Sequence, residues 1–273
     1  MLAMTTQYLD RPGGRLAYEE TGDPRGPLVI MVPGMGDLRS TFDGLAAHLA
    51  AEGARAVTTD LRGHGESSLG WPDYSPAAVA EDLVGLAAEL GGNAVLVGNS
   101  YGGSAAILAA ARHPEAVAGL VLVDSFVRSP QMGLAQRLLL PVLRLPWLGA
   151  RLWTVAAWPS FFRKRPADYA ERKAELSASL TRPGGFDGLR AMMAPGQHAE
   201  TTPALGAVRA RALVVMGGED PDFPDPAAEA RFTADTLGGD ATVLMVDGVG
   251  HYAQAEAVEV VAPAVAEFVR KVR

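Results

Sequence analysis

The residue best placed to do chemistry is a serine flanked by glycines, Gly98-Asn99-Ser100-Tyr101-Gly102, with Gly103 next in line. It follows the apolar run Ala94–Gly98 and opens a stretch of helical character. A serine on such a strand-to-helix turn must take strained backbone angles, and glycines two residues either side remove β-carbons that would collide. The turn lifts the hydroxyl clear of a sheet, at the positive end of the following helix. The pentapeptide alone has low specificity, and a Gly-rich packing turn is the plain alternative; its place between strand and helix favours a nucleophile.

A serine hydroxyl needs a base, and the base needs an orienting acid. There are five histidines. His48 falls in a helical run, and His113 ends a helix before Pro114, where a cation is explained by the helix terminus. His198 closes a long strand-free stretch, and His64 sits in Asp60-Leu61-Arg62-Gly63-His64-Gly65. His251, in Val246-Asp247-Gly248-Val249-Gly250-His251, follows the last apolar run, so it stands at a strand's carboxyl end, where α/β sheets bind ligands. For the acid, Gly217-Gly218-Glu219-Asp220-Pro221-Asp222-Phe223-Pro224 follows another apolar run. Asp220, just past the strand end, is preferred; Asp222 is the alternative, with Glu219 and Asp225 behind it. Those not chosen read as turn residues of a Pro-rich loop.

The elements that must hold these residues alternate. Leu28–Val32, Ala56–Thr59, Ala94–Gly98, Leu120–Val123, Ala212–Met216 and Thr242–Val246 read as buried strands of a parallel sheet covered on both faces. Helical patterns fall near 40–51, 76–90, 101–112, 225–237 and 254–270, and Pro12-Gly13-Gly14 joins segments 5–10 and 15–20 as an N-terminal hairpin. The pattern predicts an α/β fold with a mainly parallel, doubly wound sheet. From 126 to 199 there is no strand pattern, and Pro130, Pro141, Pro146, Pro159, Pro166 and Pro183 divide the stretch into short helices. It is too long for a loop and predicts a helical subdomain on a core of 1–125 and 200–273.

Composition excludes whole classes. With 48% apolar and 20% charged residues the chain is globular. A net charge of −7 disfavours nonspecific nucleic-acid binding. The absence of cysteine rules out disulfides, thiolate metal sites and a cysteine nucleophile. The N-terminus lacks a secretory pattern and no apolar run reaches about 18 residues, so a soluble, cytoplasmic protein is expected. Oligomeric state is left open. A dinucleotide fingerprint at Gly34-x-Gly36 fails because Arg39 stands where its third glycine belongs, and neither a P-loop nor a His-Glu-x-x-His pattern occurs. No cofactor or metal is expected.

Together these motifs resemble the α/β-hydrolase fold superfamily, in its capped Ser-His-Asp branch, over residues 25–125 and 200–270. The resemblance implies Ser100 as nucleophile, Asp220 as acid and His251 as base, His251 being the only histidine after the acid. It implies that Asp60–Gly65, continuing into Glu66-Ser67, is a structural loop, which argues against His64 as base, and it makes Asp124 an alternative acid position. The implied oxyanion donors are the backbone amides of Met35 and Tyr101. Pro33-Gly34-Met35-Gly36 departs from the usual His-Gly, so the loop is expected to lose that side-chain support. A serine nucleophile disfavours the carboxylate chemistry of haloalkane dehalogenases and epoxide hydrolases. The expected reaction is hydrolysis of a small to medium, largely apolar ester or lactone, rising with pH around 6–7.5 as His251 deprotonates. A carbon–carbon bond hydrolase, a perhydrolase or a non-catalytic receptor on the same scaffold are the alternatives.

The strand-free segment takes the place of a cap over the site, and Trp147, Trp153, Trp158 and Phe161 are its candidate pocket residues. The run Leu138–Trp147 resembles an interfacial anchor, but Pro141 and Pro146 break it, and membrane contact is not expected. The segment carries 11 basic and 4 acidic residues, against 13 and 27 in the rest. Attraction between a basic cap and an acidic body explains this, and an anionic substrate is the sharper alternative.

Overall fold

The computed structural model describes residues 5–128, 140–146 and 148–272. An eight-stranded sheet runs in the order β1-β2-β4-β3-β5-β6-β7-β8. Its strands are β1 (Gln7–Arg11), β2 (Gly14–Gly22), β3 (Leu28–Val32), β4 (Arg55–Thr59), β5 (Ala94–Asn99), β6 (Val117–Val123), β7 (Arg211–Gly217) and β8 (Ala241–Val246). The N-terminal hairpin pairs antiparallel, β2 joins β4 antiparallel, and every pairing from β4 to β8 is parallel.

The strands are apolar on both faces because both faces are covered. Ile30, Val32, Leu96, Leu120, Leu122 and Val214 share one core with helices α2 (Pro76–Glu89), α3 (Tyr101–Arg112) and Pro226–Thr236. Their alternate neighbours Val29, Met31, Val95, Val97, Val121 and Val215 meet α1 (Asp43–Ala51) and the helix Val258–Lys271 on the other side. The period-2 alternation of a strand thus divides one apolar run between two cores. Ser75 and Asp225 cap their helices at Ala78 N and Ala228 N, each ahead of a proline whose missing N–H costs nothing in the first turn.

Two expectations change. Thr242–Val246 is not a buried strand: β8 closes the sheet, and Val243 is 40% exposed because only β7 flanks it. The C-terminal helical pattern is broken at Ala257 into Ala253–Glu256 and Val258–Lys271. The break lets the first short turn follow the loop of His251 while the second lies on the sheet.

Most of the described part of 140–199 is helical. It builds a third core from Ala150, Trp153, Trp158, Phe162, Leu176, Leu180, Phe186 and Leu189, which also takes in Leu38, Tyr252 and Ala255 from the sheet's carboxyl side. The loops after β3, β5, β6, β7 and β8, adjacent in the sheet, all emerge beneath it.

Candidate active site

Ser100 has φ 52° and ψ −115°, a strained left-handed conformation at the junction of β5 and α3. Serine at such a position ordinarily caps its helix, yet this side chain makes no capping hydrogen bond, so the hydroxyl is left for other work. The flanking glycines are demanded by contact. A β-carbon on Gly98 would lie 2.5 Å from the backbone of Gly102 and Gly103, and one on Gly102 would lie 2.5 Å from Val32 O.

His251 and Asp220 come together from neighbouring strands. His251 Nδ1–H donates to Asp220 Oδ2 at 2.7 Å with both side chains buried, which fixes the tautomer and leaves Nε2 as the basic nitrogen. Asn99 ties the loop of His251 to the turn at Ser100, its Nδ2 donating to His251 O (3.0 Å) and Val123 O (3.2 Å). Phe126 bridges them again: its N–H donates to Ser100 O (3.4 Å) and its ring lies 5.9 Å from the imidazole. Among the described residues Ser100 Oγ makes no direct hydrogen bond to the imidazole; such bonds commonly tighten only as substrate binds.

Two further carboxylates lie near His251. Asp222 Oδ2 stands 3.7 Å from His251 Nδ1. Asp124 is turned to the backbone, accepting from Gly217 N (2.6 Å) and Ala253 N (3.3 Å), so it pins the loops of Asp220 and His251 and makes no hydrogen bond to the imidazole. Burial pushes the Asp124 carboxyl well above the usual range, and the nearby Asp220 adds to the shift. Burial would lower the pKa of His251, but Asp220, Asp222 and Asp124 outweigh it and hold the imidazole above its ordinary value. With His251 as the base, the expected rise around pH 6–7.5 would be displaced upward. Asp220, Asp222 and His251 also offer three metal-ligand atoms within 4.8 Å of one another, but the Asp220–His251 hydrogen bond engages two of these groups with each other.

The loop after β3 passes directly over the serine: a β-carbon on Gly34 would meet Ser100 Cβ at 2.9 Å. Neither the Met35 nor the Tyr101 N–H donates to an acceptor among the described residues. The expected loss of side-chain support is corrected by His64, which is fully buried. Its Nδ1–H donates to Arg62 O (2.9 Å) and its Nε2 accepts from Gly36 N (3.1 Å). Burial lowers its pKa to about 4, so the accepting nitrogen stays unprotonated at neutral pH. From the other side Trp153 Nε1 donates to Gly36 O at 2.8 Å.

The other candidates divide. Phe161 lies beside the base, ring to ring at 5.4 Å, while Trp153 packs on the Gly36 loop. Trp158 is no pocket wall: it has no exposed surface, stacks on Tyr169 and donates to Asp37 Oδ1 at 3.3 Å. Trp147 lies outside the described residues. His198 donates to Ser104 Oγ (2.9 Å) and His113 pairs with Glu81 (3.1 Å), while His48 sits on α1.

Sequence reasoning missed Glu256. Its Oε2 accepts from Arg163 N (2.8 Å), Lys164 N (2.8 Å) and Gly250 N (3.2 Å), and its Oε1 from Tyr252 N (3.3 Å). One carboxylate thus fastens the Arg163–Lys164 backbone to both neighbours of His251, and His251 N–H itself donates to Phe161 O at 3.0 Å. A glutamate five residues after the base gave no spacing signal for this.

Among the described residues no helix is long and apolar enough to cross a membrane. The chain is 27% identical over 262 residues to 2-(acetamidomethylene)succinate hydrolase of Mesorhizobium japonicum, covering 94% of this chain and 92% of that one. It is 40% identical to an sn-1-specific diacylglycerol lipase of Mus musculus, but over 105 residues, 38% of this chain and about a third (34%) of that protein. The structure of a thermophilic esterase from Thermogutta terrifontis superposes with a TM-score of 0.77 at 27% identity, over 98% of each chain. The sequence profile of the alpha/beta hydrolase family matches residues 29–264, and the chain belongs to that family.

Proposed function

We propose that the protein is a serine hydrolase that cleaves a small to medium, largely apolar carboxylic ester or lactone through an acyl-enzyme. The observation that carries this reading is the buried Asp220–His251 pair beside a serine held at positive φ with its hydroxyl uncapped. His251 Nε2 takes the proton of Ser100 as its oxygen attacks the carbonyl carbon, and Asp220 stabilises the imidazolium. The Met35 and Tyr101 amides hold the oxyanion, His251 returns the proton to the leaving alkoxide, and water attacking through the same base frees Ser100. The segment 126–199 acts as the cap, with Phe161 against the base.

A neutral acyl group suits the site, because the charged groups around His251 are the carboxylates of Asp220, Asp222 and Asp124. The basic cap finds partners on the acidic body instead: Arg128 pairs with Glu229, and Arg163 with Glu219 at 3.6 Å. Relatives described as an esterase and a lipase support ester chemistry as the class.

The test is turnover of p-nitrophenyl esters of graded chain length, with Ser100→Ala as control. We expect turnover that falls about 10⁴-fold or more in the variant. Equal turnover in Ser100→Ala overturns the nucleophile assignment. Labelling of Ser100 by a serine-directed phosphonate without turnover of any ester overturns the ester assignment in favour of carbon–carbon bond hydrolysis.

A further inference from the structure

Asp222 is placed as if it belonged to the base, yet the triad does not use it. Its backbone N–H donates to Asp220 Oδ1 at 2.9 Å, so the turn across Pro221 aims both carboxylates to the same side. Asp220 Oδ2 lies 2.7 Å from His251 Nδ1 and Asp222 Oδ2 lies 3.7 Å from the same nitrogen. The Asp222 carboxylate accepts no hydrogen bond from any described residue, although its side chain is only 19% exposed. Asp124, the third carboxylate near the imidazole, has both oxygens occupied by backbone amides and is not free to turn. A shift of about 1 Å, within a small rotation of a short side chain, would bring Asp222 into hydrogen-bond range of Nδ1.

We propose that Asp222 is a second carboxylate for His251, a positioning residue that shares the charge of the imidazolium and takes over its Nδ1–H when Asp220 is lost. The inference rests on the serine-hydrolase reading above. Consistent with a carboxyl held mostly out of water, burial raises Asp222 to a pKa of about 6, the His251 charge opposes that rise and Asp220 adds to it.

Asp220→Ala opens room for Asp222 to close on the imidazole. Asp220→Asn leaves an amide in the way, which holds the wrong tautomer. The milder-looking substitution is therefore the more damaging one. We expect kcat/KM to fall about 10–100-fold in Asp220→Ala, but about 10⁴-fold in Asp220→Asn and in the double variant Asp220→Ala/Asp222→Asn. In Asp222→Asn the acidic limb of the pH profile moves down by about one unit, because one of the three carboxylates facing the imidazole has lost its charge. Phosphonate labelling rates of Ser100 give the same ranking without relying on the choice of ester. Equal rates in Asp220→Ala and the double variant overturn the proposal, as does an unmoved limb in Asp222→Asn; the latter decides the matter if Asp220→Ala does not fold. A wild type that neither turns over esters nor is labelled at Ser100 overturns the underlying reading instead.

Discussion

Replacing Glu256 by glutamine perturbs the site without touching a reacting atom. The carboxylate receives four backbone amides, two from the helical segment at Arg163 and Lys164 and two from the loop at Gly250 and Tyr252. Hydrogen bonds to a charged acceptor contribute about 1.5–3 kcal/mol each, roughly twice the neutral value. Glutamine can put its carbonyl where Oε2 stands, keeping three of the four in weaker, neutral form. Its NH₂ then faces the Tyr252 N–H, and that fourth bond is lost. The combined cost is about 3 kcal/mol. In a chain of this size about 1 kcal/mol lowers Tm by about 2–4 °C, so a fall of about 6–12 °C is expected. Because Gly250 and Tyr252 flank His251, kcat should drop about 10–100-fold, the scale of a sub-ångström to 1 Å misplacement of a catalytic group. Thermal melts and p-nitrophenyl ester kinetics measure both effects. A Tm within about 2 °C of wild type and unchanged kcat would refute the idea that this carboxylate holds cap and base in register.

Other outcomes follow from the same geometry. Gly98→Ala forces a β-carbon to within 2.5 Å of backbone at Gly102 and Gly103; we expect about 2–3 kcal/mol of destabilisation by urea titration and loss of Ser100 labelling. Trp153→Phe strips the buried Gly36 carbonyl of its 2.8 Å donor; the expected loss is about 1–3 kcal/mol with a lower kcat, and wild-type kinetics would dissociate this contact from the oxyanion loop. Catalytic efficiency measured from pH 5 to 10 should still be climbing above pH 7.5, because a raised His251 pKa keeps the base protonated to higher pH; a plateau reached by about pH 6.5 would contradict the carboxylate effect. His64, lowered to about 4 by burial, should show no protonation between pH 5 and 9 in ¹⁵N NMR, with its proton on Nδ1.

Much of this protein could be read along the chain because its signals are local. Ser100 is marked by glycines that a tight turn requires within four residues, and the parallel sheet by apolar runs whose alternation serves two cores at once. His251 stood out because it follows a strand. What failed was whatever depended on neighbours distant in sequence. The exposure of β8 follows from its place at the sheet's edge, which strand order decides and composition does not. Trp158 carries the residue type of a pocket wall, but Asp37 and Tyr252, both far off along the chain, close around it.

The sequence by itself determined the fold class and marked Ser100 as the candidate nucleophile, since backbone strain and hydrophobic periodicity are written in consecutive residues. It narrowed the candidate acid to one loop and preferred Asp220 to Asp222 only by its place just past the strand end. Only the tertiary structure supplied the distances that favour Asp220, with one carboxylate 2.7 Å and the other 3.7 Å from the same nitrogen. It also gave His64 the task of supporting a loop 28 residues away, and Glu256 that of joining the backbone at Arg163 to the loop of His251. These roles rest on hydrogen bonds that form only after the chain has folded, so spacing along the sequence carries no trace of them.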